Sequence, residues 1–265
     1  MPSDHIYFLE VNMKEQKLEN NGEIKSEKIN KNTDAVEDSD IWEAEESKNA
    51  EKEKPQEVNN DTELVFIIDR SGSMACFVDD TVGGFNSMIE KQKKEDGKVY
   101  VSTVLFNTYR EVIHDRIDIN EVKPMTENDY SPCGCTALLD AIGHSIRHIS
   151  NIHKYARRED VPKNTIFVIT TDGMENSSHR YDSDKIKEMI KEYTEERGWE
   201  FIFVAANIDA VETAKNIGIR KERAANYRQN KRGIEDSYDA MSMFVSYKRM
   251  QAPEERLAMW KSKLD

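Results

Sequence analysis

Continuous apolar runs alternate with helical periodicities from residue 62 onward. Residues 64–68 (LVFII) form an unbroken apolar run that ends in Asp69, as expected of a strand buried on both faces. Residues 165–170 (TIFVIT) and 201–206 (FIFVAA) repeat that texture, while 98–106 (KVYVSTVLF) and 109–117 (YREVIHDRI) flank Asn107-Thr108 and predict an antiparallel hairpin. Between them, Val82, Phe85, Met88, Ile89 and Gln92 fall at helical spacing within 81–93, and Leu138, Ile142, Ile146 and Ile149 mark an amphipathic helix over 137–152. A charged helix over 183–197 with Ile186, Met189 and Ile190 inward, a short one over 209–217, and one long or two shorter helices spanning 236–250 and 253–264 complete the pattern. Strands too apolar to face water, alternating with helices, predict an α/β fold: an open, mostly parallel, doubly wound sheet with helices on both faces.

The first fifth of the chain has a different texture. Residues 13–61 are rich in Glu, Lys, Asn and Ser, with isolated apolar residues and no sustained period, and such a stretch buries too little apolar surface to offset the entropy of ordering it. Of 51 acids and 38 bases in the 265 residues, residues 1–61 hold 17 acids and only 8 bases, so most of the net charge of −13 belongs to this segment. The reading is an acidic, mostly disordered tail over 1–61, in which residues 5–11 and 40–44 are candidate docking segments, then a domain over 62–235 and a C-terminal helical segment over 236–265 packed on it or extending it.

Charge and composition also narrow the function classes. The nearly balanced remainder offers no overall field for nucleic acid; a local basic cluster, Arg220, Lys221, Arg223, Arg228, Lys231 and Arg232, is expected to be a solvated loop, with weak nucleic-acid contact as its alternative. No apolar stretch is long enough for a membrane helix and the N-terminus has no basic region before its short apolar cluster, so the expected location is the cytoplasm. Three cysteines, Cys76, Cys133 and Cys135, suit neither a disulfide framework nor a recognisable zinc spacing, and Cys76 and Cys135 are expected to be buried and inert.

Ligands of open α/β sheets bind beyond the carboxyl ends of the strands, and three such places here carry hard oxygen donors. Asp69, Ser71 and Ser73 follow the first apolar strand with Gly72 between the serines to let the backbone curl; Thr136 precedes the long helix, where it also suits an N-cap; Asp172 follows the strand at 165–170. Two carboxylates and three hydroxyls suit an octahedral oxygen site for a small hard cation. The pattern Asp69-x-Ser71-x-Ser73, then Thr136, then Asp172, resembles the metal-ion-dependent adhesion site of von Willebrand factor type A (vWA) domains, and most closely the stand-alone intracellular bacterial members. The resemblance covers about residues 62 to 220 and includes the Thr-Ala-Leu-Leu-Asp-Ala run at 136–141. It implies a sheet with one antiparallel edge strand, Mg²⁺ or Mn²⁺ held by Ser71, Ser73 and Thr136 with Asp69 and Asp172, and a coordination position completed by an Asp or Glu of a partner protein. The expected function is therefore a metal-dependent protein-protein interaction module and not an enzyme. The rival is a metal-assisted hydrolase or phosphatase, for which His179 and Glu175 are the candidate bases; His179 is expected to be a solvated loop histidine, and Glu175 has capping of the loop or screening of Arg180 as its other roles.

Overall fold

The computed structural model describes residues 60–264; the readings made for residues 1–59, tail and docking segments alike, lie outside the described residues. Six strands form one sheet: β1 (Thr62–Asp69), β2 (Val99–Phe106), β3 (Arg110–Asp118), β4 (Asn164–Thr171), β5 (Glu200–Ala205) and β6 (Ala224–Asn226), in the spatial order β3-β2-β1-β4-β5-β6. All neighbours are parallel except the β2–β3 hairpin, which places one antiparallel strand at the edge. The helices are α1 (Val78–Gln92), α2 (Leu138–Tyr155), α3 (Ser183–Arg197), α4 (Ala210–Asn216), α5 (Lys231–Arg249) and the single turn α6 (Glu254–Leu257). No helix among the described residues is long and apolar enough to cross a membrane.

Alternation along β1 builds two cores. Leu64, Phe66 and Ile68 face the layer that includes Phe85 and Met88 of α1 and Met241 and Phe244 of α5; Val65 and Ile67 face Ile142 and Ile146 of α2 and Ile186 of α3. Helix α5 lies so close to α1 that a Cβ on Gly84 would overlap the Tyr238 ring, at 2.3 Å. Gln92, read from sequence on the inward face of α1, is fully buried and donates to the Ser242 carbonyl at 3.1 Å, while Arg249 at the other end of α5 donates to the Gln92 carbonyl at 2.9 Å.

Two expectations change here. The helix expected over 236–250 begins at Lys231, capped by Asn230, whose side chain accepts the Gly233 N–H at 2.9 Å; the division drawn between 235 and 236 falls inside one continuous helix. The 220–232 cluster is not a single solvated loop either. It contains β6, too short at three residues for periodicity to reveal, and Arg223 beside it is 1% exposed. Its Nε donates to Glu200 at 2.8 Å, its Nη2 to Glu254 at 2.9 Å, and the guanidinium lies 5.0 Å from the Phe244 ring centroid. Arg223 is thus an internal tie between β5, α5 and α6, and is not available to a phosphate backbone.

Burial works to raise the Glu200 carboxyl, but hydrogen bonds and charge from Arg223 and Lys248 outweigh it and hold the group below its ordinary range. A depressed folded-state pKa contributes stability above the unfolded value and loses it as pH falls through the folded one. Arg223→Ala, which leaves the buried Glu200 carboxylate with Lys248 as its remaining hydrogen-bonded cation, is expected to lower unfolding free energy by about 3 kcal/mol at neutral pH. Urea titrations are expected to show that loss shrinking as pH falls below the ordinary glutamate value of 4.5; a loss independent of pH would remove the ion pair as its cause.

Candidate metal centre

The parallel register pairs Ile68 of β1 with Thr170 of β4, so Asp69 and Thr171 emerge side by side where the strand order turns back, the place where open α/β sheets bind ligands. The Thr171 hydroxyl donates to Asp69 Oδ2 at 2.6 Å. Asp69 Oδ1 accepts the Ser71 N–H at 2.7 Å, and this bond curls the chain into the short 3-10 segment Gly72–Phe77 over buried Met74. The curl does not come from Gly72, whose φ is not in the left-handed region; its N–H instead donates to the Gly134 carbonyl at 3.1 Å. Tyr130, buried under the strand end, donates its hydroxyl to the Asp69 carbonyl.

The second loop is stitched to the first and to the hairpin. Cys133 donates its N–H to the Arg70 carbonyl at 3.0 Å, Cys135 to the Thr108 hydroxyl at 2.9 Å and Ala137 to the Asn107 carbonyl at 2.9 Å. Gly134 is required here: its φ is +73°, and a Cβ on it would lie 2.7 Å from Thr108 Oγ1. Thr136 is not the N-cap of α2. That terminus is served by Glu175, whose Oε2 accepts the Leu139 N–H at 2.9 Å, and by Ser178, whose hydroxyl accepts the Asp140 N–H at 3.0 Å. The Thr136 hydroxyl is therefore not spent on the helix; it faces the third loop, 3.6 Å from where a Cβ on Gly173 would be.

The third loop closes the cluster. Asp172 Oδ1 accepts the Ser73 hydroxyl at 2.6 Å, and Ser73 Oγ lies 3.1 Å from Ser71 Oγ. Asp172 Oδ2 accepts Gln229 Nε2 at 2.6 Å, and Gln229 Oε1 in turn accepts Asn207 Nδ2 at 2.5 Å. Asn176 ties this loop to Thr136 by a reciprocal pair, its side chain accepting the Thr136 N–H at 2.9 Å and its own N–H donating to the Thr136 carbonyl at 3.0 Å. The sequence reading missed Gln229 and Asn207, which follow β6 and β5 in stretches with no distinguishing pattern. Thr171 is legible in hindsight as the neighbour of Asp172.

Electrostatically the site is strained in one direction. Asp69, Ser71, Thr136 and Asp172 are buried and Ser73 is exposed, so the cluster opens to solvent through Ser73. Burial pushes the Asp69 carboxyl above its ordinary value, against the bonds from Thr171 and Ser71 and with the charge of Asp172 adding to it. Burial likewise raises Asp172, against the bonds from Ser73 and Gln229. Among the described residues no group of three or more His, Cys, Asp and Glu is placed to hold a metal ion, and the cluster here consists of two carboxylates with hydroxyls. The cysteines are exposed, contrary to expectation for Cys76 and Cys135, because both lie on the outward side of their turns.

The two candidate bases take different places. Glu175 accepts N–H groups from Ser177, Ser178 and Leu139 and the Ser178 hydroxyl, all between 2.7 and 2.9 Å, which makes it the cap of the loop and helix. His179 is exposed, and its N–H donates to Asp140 at 3.0 Å. Glu175→Ala is expected to cost about 2 kcal/mol in chemical denaturation, from buried N–H groups left without acceptors; an unchanged midpoint would remove the capping role.

No family model matches the sequence, and no curated protein matches it. Solved structures match in fold. The vWF domain of the type V pili tip protein Mfa5 from Porphyromonas gingivalis aligns with TM-score 0.52 at 8% identity, over 71% of this chain and 95% of that one. The von Willebrand factor type A protein from Catenulispora acidiphila aligns at 0.47 with 11% identity, over 70% of this chain and 42% of that one. The manganese-loaded TRAP protein of Plasmodium vivax aligns at 0.47 with 15% identity, over 65% and 70%. The chain thus spans less than half the length of the Catenulispora protein. The sheet order, the antiparallel edge strand and the Mfa5 alignment together show that the described domain has the fold of a von Willebrand factor type A domain.

Proposed function

We propose that this chain is a metal-dependent protein-binding module. Ser71, Ser73 and Thr136 offer hydroxyls to Mg²⁺ or Mn²⁺, Asp69 and Asp172 supply the compensating charge, and the remaining position receives an Asp or Glu of a partner protein. The observation that carries this reading is the convergence of Ser71 Oγ, Ser73 Oγ and Asp172 Oδ1, spaced 3.1 and 2.6 Å apart. Adjacent ligands of an octahedral Mg²⁺ with ~2.1 Å bonds are about 3 Å apart, so these donors need little movement to share one cation. The upward push on both carboxyls gives the electrostatic reason: two buried acids in contact with hydroxyls lack a counter-charge.

When bound, the cation supplies an electrophilic position for a carboxylate, because neutral hydroxyls do not quench its charge. The protein's own part is to hold the donors. Thr171 and the Ser71 N–H fix both oxygens of Asp69, while Gln229 fixes one oxygen of Asp172 and leaves the other toward Ser73. This reading assigns no catalysis, with Glu175 committed to capping and His179 an exposed loop residue held by its backbone N–H, and it expects a reducing compartment such as the cytoplasm, where three exposed thiols persist.

Calorimetric titration of the full chain with Mg²⁺ and Mn²⁺ is the direct test. Wild type is expected to bind, Asp69→Ala to lose binding while keeping its far-ultraviolet dichroism, and Gln229→Ala to weaken it by about 10–100-fold through misplacement of Asp172. Binding by Asp69→Ala as tight as wild type would overturn the proposal. A partner captured in Mg²⁺ is expected to elute with EDTA.

A further inference from the structure

Next to the second loop lies a groove of about 360 Å³, bounded by the hairpin turn at Thr108, Tyr109 and Arg110, by the first turns of α2, and by Arg180. It shares a wall with the donor cluster, since Thr108 accepts the Cys135 N–H at 2.9 Å and Ala137, which lines it, follows Thr136 directly. Its charge is unusual for this protein. Arg110 and Arg180 are exposed, and neither is ion-paired to a carboxylate among the described residues, whereas the neighbouring Arg70 is held by Glu111 at 2.7 Å. The acid in the groove, Asp140, has both oxygens occupied by the N–H groups of His179, Arg180 and Tyr181, at 2.9 to 3.0 Å. It is a staple for the third loop and does not reach out to either guanidinium. Both arginines line the groove, and His144 on the same wall is held below its ordinary value by burial and then by the positive charge of Arg110 and Arg180, with Arg147 adding to it and Asp140 opposing.

We infer that this groove is a second anchoring point for the same ligand, taking a further carboxylate of an acidic partner segment between Arg110 and Arg180 while another acid occupies the cation. The inference rests on the proposed metal-dependent reading. Guanidinium forks suit a carboxylate in bidentate fashion. A carboxylate is the occupant because the segment that reaches the cation is already acidic under the metal-dependent reading, and a second acid on that segment meets the guanidiniums directly. The exposed Tyr109 ring at the rim, 78% accessible, offers an apolar flank to the backbone between the two acids. The partner is thereby specified more narrowly, as a segment carrying two acidic side chains at a fixed separation.

The test is an array of Gly-Ser peptides bearing no Glu, one Glu, or two Glu at varied separations, probed with the full chain in Mg²⁺ and in EDTA. Wild type in Mg²⁺ is expected to retain two-Glu peptides of one preferred separation at least about tenfold more strongly than one-Glu peptides. The Arg110→Ala/Arg180→Ala double variant is expected to lose that gain while holding one-Glu peptides as wild type does, and Asp69→Ala to lose both. Equal retention of one-Glu and two-Glu peptides by wild type would overturn the groove and leave the metal reading standing; so would an equal fall for both peptide types in the arginine variant, which is general attraction. Absence of any Mg²⁺-dependent retention of one-Glu peptides would overturn both.

Discussion

The parallel pairing of β1 with β4 is the constraint on which the site depends. Because Ile68 lies opposite Thr170, the chain leaves both strands at the same height, and Asp69 meets Thr171 and then Asp172 without either loop having to reach. The pairing is secured from below by residues that face two separate cores, so sliding either strand by one residue would exchange the whole inward set of side chains. A site resting on such a register inherits its precision from the sheet, where an isolated pair of loops would have to hold its acids by their own hydrogen bonds.

Around that pair the loops form a closed set of backbone ties. The first loop holds the second through Arg70 and Gly72, the second holds the hairpin through Thr108 and Asn107, and the third holds the second through Asn176. Glu175 matters for a less obvious reason: by capping α2 it leaves the Thr136 hydroxyl to face the other donors. Rigidity of this kind lowers the ordering cost of binding a cation and an acid together. Beside the same ties lies the basic groove, whose walls include the hairpin turn and the start of α2 that those ties hold.

The five longer strands, the hairpin and the polar residues at the strand ends were legible in the sequence because each depends on local signals: continuous apolar runs, a turn, and oxygen-bearing side chains where a run stops. The structure brings Ser71, Ser73 and Asp172 into direct contact and turns the Thr136 hydroxyl toward the same loop. What escaped were features set by tertiary partners. Strand β6 has three residues and exists only because β5 offers an edge; Arg223, read as one of a solvated cluster, is buried because Glu200 and Glu254 meet it from separate elements. Gln229 and Asn207 reach Asp172 from loops with no periodicity at all, and the start of α5 at Lys231 was hidden by the basic residues of its first turn.

The most direct measurement is anomalous X-ray diffraction from crystals of the full chain grown with Mn²⁺. The account predicts one strong anomalous peak among the side-chain oxygens of Ser71, Ser73 and Thr136, close to Asp172 and absent from crystals of Asp69→Ala. A peak elsewhere on the domain, or none at saturating Mn²⁺ with these side chains well ordered, would contradict it.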